Sequence, residues 1–505
     1  MNEFWLNVIQ NTLLMILGVC ALCSIIALPL SFALERYKIP FGEGIFRALT
    51  IPYVFPSYIL AISWITLANP TVGWLNKILP FNLNIYSIWG IIFVESSVLM
   101  SLLFLNLRSA LQKIDPTLEE AARLSGASAW QSFWLVTFPM IKKNFAGGLL
   151  SIALASLASF GVPAMLGQAG RIFVMTTSIY SLIKTGSESS FNEALVISSL
   201  TLIPTLLLVI LVRRWDSSKS KNLASAKASR SEKKEASSLT LITTLSISFL
   251  VIFLMVILPV TTLILSSFQK SLSEISINNF SLRAWDYVLT TLPQFWNSFQ
   301  NSIICALLST LILVFLAFSL GLLNKHFEKK QNVLGRRIIT IIETLLSFFY
   351  SIPGTVLALG LTVIVSFLGL DYLQGSLNLI ILSYCFKYSN LALKNLSPNF
   401  NFIHPSWIEA AEISGAGPWS RIWWIYIPLL KTALLATATL VFMPTLSELS
   451  MTLLLSGPMS STLGVLLFEL QEYADRSSAA VVGTLILIFV LVLQRFSRRN
   501  YEIAR

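Results

Sequence analysis

One stretch of this chain is written twice. Residues 116–142 read PTLEEAARLSGASAWQSFWLVTFPMIK, and residues 405–431 read PSWIEAAEISGAGPWSRIWWIYIPLLK. At an offset of 289, eleven of the 27 positions are identical, where ordinary residue frequencies would give about two. Pro116 and Pro405 suit the first turn of a helix, and Gly126 and Gly415 suit its end, where the backbone turns left-handed. A second short helix is expected over 128–138 and 417–427, ending near Pro139 and Pro428. Each copy therefore reads as a helix–turn–helix along a membrane surface. Trp130, Trp134, Trp419, Trp423 and Trp424 serve as interfacial anchors that touch lipid.

What surrounds these loops is apolar. Of 505 residues, 55% are hydrophobic and 12% charged, with a mean hydropathy of +0.75. A soluble domain carries about a quarter charged residues, so a soluble enzyme and a disordered chain are both excluded. Eleven candidate spans follow, at 8–33, 45–68, 86–108, 146–167, 192–212, 240–268, 298–323, 337–368, 376–396, 433–456 and 478–495. With the N-terminus outside and the C-terminus inside, 28 of the 35 Lys and Arg fall in inner segments. The net charge of +11 then reflects this bias and calls for no nucleic-acid partner.

The flanks of the two loops also match. Asn11-Thr12 corresponds to Asn301-Ser302, each preceded by Phe-Trp, and Pro56 corresponds to Pro353. The expected fold is an all-α polytopic membrane protein, with about 11 transmembrane helices in two tandem parallel repeats. The first domain spans 1–212 and the second 240–505. Between them, 213–239 is a basic, Ser- and Lys-rich cytoplasmic linker, read as a solvated tether that could touch anionic lipid. Segments 171–184 and 461–474 read as short outer helices, gates or contacts for a binding protein.

Charged residues inside spans cost about 2.5–3.5 kcal/mol each at a helix centre, so Glu95, Glu343, Lys387 and Glu448 should face a cavity or a partner. Glu95 and Lys387 occupy corresponding spans and either meet across the repeat or are satisfied separately. Glu448 corresponds to Ser159, midway along the spans that follow the loops. Ser159, Glu448, Glu95 and Lys387 are the candidate pathway residues. Cys20, Cys23, Cys305 and Cys385 lie in apolar runs and read as packing residues, with no disulfide or metal framework. His326 and His404 read as solvated or capping. No Gly-Lys dipeptide occurs, so the chain cannot contain a phosphate-binding loop of the ATPase type.

The pattern E-A-A-x3-G, with thirteen residues from that glycine to a proline, resembles the EAA motif of binding-protein-dependent ABC importer permeases. The likeness covers nearly the whole chain outside the linker. It implies that Glu120, Ala121, Ala122 and Gly126 contact one protomer of a cytoplasmic ABC ATPase dimer. Glu409, Ala410, Ala411 and Gly415 would contact the other. It implies further a non-catalytic permease with no cofactor of its own, ATP being bound by the partner. The setting would be a bacterial inner membrane, with a soluble substrate-binding protein docking on outer loops that include 269–297. Two fused permease domains resemble the ferric-iron and thiamine permeases. The stretches Ser159-Phe160-Gly161-Val162-Pro163 and Glu448-Leu449-Ser450 look most like the ferric-iron branch. An ion-gradient-driven secondary transporter would also suit parallel repeats and buried carboxylates, but would have no use for a duplicated ATPase-docking loop.

Overall fold

The computed structural model describes residues 2–217, 233–270, 277–473 and 476–503. They are overwhelmingly helical, and the chain separates into two compact units, Met1–Leu282 and Arg283–Arg505. The all-α membrane fold is as the sequence indicates. Among the described residues, seven helices are long and apolar enough to cross a bilayer, and counting each of three bent helix pairs as one span brings the number to ten. The remaining expected span, 376–396, forms a helix of sufficient length, Leu377–Leu396, but Lys387, Asn390 and Lys394 make it more polar than the others.

In the first unit, α1 (Asn2–Arg36) is followed by α2 (Gly42–Val54), α3 (Ser57–Ala68), α4 (Ile88–Leu111), α5 (Thr117–Leu124), α6 (Ala129–Ala158), α7 (Gly161–Gly170), α8 (Met175–Thr185) and α9 (Glu188–Ser217). Helices α1, α4 and α6 pack on one another around Met15, Val19, Cys23, Leu103 and Ile152, all fully buried. Gly18 lets Ile92 of α4 lie against α1; a Cβ there would sit 2.5 Å from the Ile92 side chain.

Helix α10 (Ser238–Ser267) precedes the second copy in the chain, yet it packs on α1, α2 and α3 of the first unit. Thr244, Ser248, Val251, Met255, Thr262 and Leu263 form its buried face. The boundary placed by sequence at 213–239 and the boundary drawn by packing therefore differ by one helix. The central linker, 218–232, lies outside the described residues. The linker's end does not behave as a free tether. Strand β1 (Tyr37–Lys38) pairs in parallel with β2 (Lys234–Glu235), and Lys233 Nζ donates to the Leu34 carbonyl at 2.6 Å.

The second unit repeats the plan with α11 (Pro293–Lys329), α12 (Val333–Ser351), α13 (Gly354–Phe367), α14 (Leu377–Leu396), α15 (Pro405–Ile413), α16 (Pro418–Leu446), α17 (Thr452–Leu455), α18 (Leu463–Tyr473) and α19 (Arg476–Ile503). Here α11, α14 and α16 form the core, through Leu313, Ala317, Leu393, Leu396, Leu430 and Val441.

Two of the expected spans are sharply bent. The angle is 99° between α2 and α3 and 113° between α12 and α13. Pro56 and Pro353 cause both. The residue before a proline is driven out of the helical region, and Phe55 (ψ 136°) and Ile352 (ψ 133°) are extended accordingly. A third bend, of 56°, separates α6 from α7 at Ser159, which is also extended.

Candidate functional site

The two loops close by the same hydrogen bonds. Asp115 accepts from the Thr117 amide at 3.0 Å and starts α5, and that bond holds its carboxyl below the ordinary value. His404 caps α15 by accepting from the Ser406 amide, the capping role anticipated for it. At the far end, Ala127 N–H reaches Ala122 O at 3.0 Å and Ala416 N–H reaches Ala411 O at 2.9 Å. Such a closure requires a left-handed residue, and Gly126 (φ 93°) and Gly415 (φ 78°) supply it. Glu120, Ala121, Gly126, Glu409, Ala410 and Gly415 are exposed, while Ala122 and Ala411 are half-buried. Beside them stand two apolar residues that the motif did not single out. Leu124 and Ile413, at corresponding positions, are 90% and 88% exposed. Their signal in the sequence was a shared apolar letter at the tip of both polar loops. An apolar tip next to small residues, left uncovered in both copies, has the character of a docking surface.

The expected second helix does not end at proline. The chain runs without a break through Pro139 into α6 and through Pro428 into α16. A proline inside a helix lacks an N–H and its ring collides with the carbonyl four residues back. Each proline here is preceded by a π-helical turn, Phe133–Thr137 or Ile422–Tyr426, and the same device precedes Pro259 at Phe253–Ile257. The widened turn moves the obstructing carbonyl aside. Each loop is therefore the end of a lever that continues into the apolar spans.

The anchoring of the two loops differs. In the first, Arg36 Nε lies 2.7 Å from Glu119 Oε1, both side chains being 7% exposed. Thr137 in the π turn donates to the same oxygen at 2.9 Å. This buried pair ties α1, α5 and the head of α6 together. In the second loop the position of Glu119 is taken by Ile408, which packs against the apolar core. The tie there is exposed: Glu412 accepts from Lys329 at 2.6 Å and from Arg421. The Lys329 hydrogen bond, foremost, keeps the Glu412 carboxyl below the usual range. Glu120 lies 3.4 Å from Lys234, so the linker's end reaches the first loop.

The four pathway candidates sit at or beside the bends. Ser159 is the bend residue between α6 and α7, and Glu448 lies in the break between α16 and α17. In each unit this break touches the proline break of the other bent span. A Cβ on Gly161 would lie 3.1 Å from Tyr58 Cβ, and one on Gly354 would lie 3.0 Å from Ser450 Cβ. Glu95, 3% exposed, is within hydrogen-bonding reach of Ser159, and its Oε2 has no hydrogen-bond partner among the described residues. Glu448 accepts from the Met451 and Thr452 amides at 3.0 Å and faces Lys387 electrostatically. Lys387 also donates to the Ile352 carbonyl and lies 5.9 Å from the Tyr350 ring. Glu95 and Lys387 thus each find a partner within their own unit. Glu343 is half-buried on α12. All four cysteines are free.

Fold and site together define an all-α membrane protein built of two copies, each with a protruding loop at the head of a broken span. The model of the family described as binding-protein-dependent transport system inner membrane component matches residues 25–217 and 332–501, and the chain belongs to that family. It is 25% identical to an Fe(3+)-transport system permease protein of Haemophilus influenzae over 97% of this chain and 90% of that one. A second Haemophilus influenzae protein, named for a ferric transport system permease, is 26% identical over 83% of this chain and 66% of its own length. A ferric transport system permease protein of Actinobacillus pleuropneumoniae is 23% identical over 92% and 67%. The chain thus spans about two thirds of the length of two of these relatives.

Proposed function

We propose that the chain is the fused two-domain permease subunit of an ATP-driven importer that carries ferric iron across the inner membrane. The observation that supports the cargo is the similarity, over both copies, to permeases named for ferric transport. Two surface loops of matching hydrogen-bond pattern support an ATPase dimer as the cytoplasmic partner. Glu120, Ala121, Ala122 and Gly126 would meet one protomer, and Glu409, Ala410, Ala411 and Gly415 the other. ATP is bound and hydrolysed by that partner, so the permease carries out no catalysis and needs no cofactor. A soluble binding protein delivers the iron to the outer face, with the N-terminus outside and the C-terminus in the cytoplasm.

In this reading, ATP binding draws the two loops together, and the continuous helices α6 and α16 carry the displacement to the bends at Ser159 and Glu448. Broken helices are where membrane transporters place substrate groups, because the interrupted backbone leaves polar atoms to line a cavity. Glu95, with one oxygen that has no partner among the described residues, is the carboxylate best placed to meet a cation in passage. Iron is cargo here and is handed on.

The test is uptake of labelled ferric iron by cells lacking this chain, with and without its re-expression. Restored, ATP-dependent uptake is expected. Restored uptake of thiamine and none of iron would overturn the cargo assignment while leaving the importer reading in place.

A further inference from the structure

The matched pairs Asn11-Thr12 and Asn301-Ser302 take no part in the coupling loops or in the pathway, yet the structure uses both in the same way. In the first unit the Met175 amide donates to Thr12 Oγ1 at 3.0 Å. Thr12 gives its own proton to the Val8 carbonyl at 2.7 Å, which leaves its lone pairs for Met175. Asn11 Nδ2 donates to the Phe173 carbonyl at 3.2 Å. In the second unit the Leu463 amide donates to Ser302 Oγ at 2.8 Å, and Asn301 Nδ2 donates to the carbonyls of Met459 and Ser461 at 3.1 and 2.9 Å. Met175 and Leu463 are the first residues of α8 and α18. Val174, which precedes α8, has no side-chain group to satisfy its first amides. The first helix of each repeat supplies the cap from more than 150 residues away.

The next residue of each short helix abuts the bend. Thr176 Oγ1 donates to the Ser159 carbonyl at 2.6 Å. Its counterpart Gly464, at an offset of 288, packs directly on the Glu448 carbonyl, where a Cβ would come within 2.7 Å of the oxygen. Within each unit the order of contacts is the same: first helix, start of the short helix, bend residue, buried charged group. Thr12 and Ser302 are 3% and 1% exposed, so water does not substitute for these bonds.

We propose that Asn11-Thr12 and Asn301-Ser302 are positioning residues, a pair of clamps that hold α8 and α18 against the bends at Ser159 and Glu448. When the lever moves, the short outer helix then moves with the bend instead of slipping past it. This role in transport rests on the pathway reading of Ser159 and Glu448; the clamp's geometry does not.

The experiment uses the full chain in nanodiscs, alone and assembled with its ATPase and binding protein. Thr12→Val removes the acceptor at nearly constant shape; Ser302→Val removes it with one γ-carbon added, and Ser302→Thr is the control for that added carbon. Thr12→Ser and Ser302→Thr exchange the two hydroxyls that the repeats already use. Amide exchange at 175–178 and 463–466 reads the clamp, and ferric-iron transport beside ATP hydrolysis reads its consequence. The valine chains should exchange roughly five- to tenfold faster at the affected helix, as for loss of a helix cap. Transport should fall roughly 5- to 150-fold, the span of ordinary coupling energies, while ATP hydrolysis persists. The hydroxyl exchanges should behave as wild type in every readout. If the valine chains do not insert, Asn11→Asp and Asn301→Asp carry the same expectation, since they delete the donor and keep the shape. Unchanged exchange in the valine chains would overturn the clamp. So would faster exchange with normal transport, or hydroxyl exchanges as damaging as valine. A wild-type assembly that moves no iron would count against the proposed function, and the exchange arm would still decide the clamp.

Discussion

Replacing Glu119 by isoleucine should loosen the first repeated loop far more than a surface substitution would. The side chain is 7% exposed and accepts from both Arg36 and Thr137. Its removal leaves the Arg36 guanidinium buried without its ion-pair partner, with the Asp115 charge as a weaker substitute, and Arg36 Nη2 lacks a hydrogen-bond partner among the described residues. Breaking a buried pair from one side costs about 3–5 kcal/mol. Local opening of α5 should become easier by that amount, so amides 117–124 should exchange roughly two to three and a half orders of magnitude faster. The second repeat indicates the repair, because Ile408 fills the same position within an apolar cluster. The double variant Glu119→Ile with Arg36→Met should therefore return to within about 1 kcal/mol of wild type. Hydrogen exchange on the four chains of this cycle measures the coupling directly. If Glu119→Ile alone leaves amides 117–124 as protected as in wild type, the reasoning about this pair is refuted.

Pro139→Ala removes the cause of the π turn at Phe133–Thr137. The helix should become no less stable but turn on the order of 100° out of register, one residue's worth, and ATP-driven transport should fall while insertion is normal. Cysteine labelling on either side of the turn would read the rotation, and unaltered register with unaltered transport would contradict it. For Glu412 the sign follows from its lowered carboxyl value, caused chiefly by the Lys329 hydrogen bond. Its contribution to holding α15 is complete above the free value of 4.5 and is lost as pH falls through the lowered one. Acid should therefore release the second loop, and Glu412→Gln should be released already at neutral pH; exchange at 405–413 across pH checks both. Within the membrane, Lys387→Met and Glu448→Gln should be non-additive in transport by about 1 kcal/mol or more, because the two opposite charges act on each other within one unit. An additive Lys387–Glu448 pair would refute that interaction.

The spans were legible because a run of about 20 apolar residues matches the thickness of a bilayer's hydrocarbon core, and the loops because they occur twice. Other features were not legible, for physical reasons. Pro139 and Pro428 read as helix stops, since a sequence does not announce that a turn will widen to admit a proline. Pro56 and Pro353 were visible and matched, but they lie inside continuous apolar runs, so each run reads as one straight span although its helices meet near a right angle. The Arg36–Glu119 pair spans 83 residues and exists in one copy only, so neither local spacing nor the repeat could reveal it. Helix α10 follows the linker and looks like the head of the second domain. Its polar-lined buried face settles against α3 instead, and chain order does not govern packing. The correspondence of Ser159 with Glu448 was readable as an offset; that both mark helix breaks was not.

In the proposed function the two loops are the surfaces on which an ATPase acts. The most direct measurement is capture of the partner ATPase by the purified full chain, wild type against the Glu120→Lys and Glu409→Lys double variant. Both residues are exposed, so the variant should insert and fold normally. Two ATPase protomers per wild-type chain, and none on the variant, is the result the account predicts. Equal capture by both chains would contradict it.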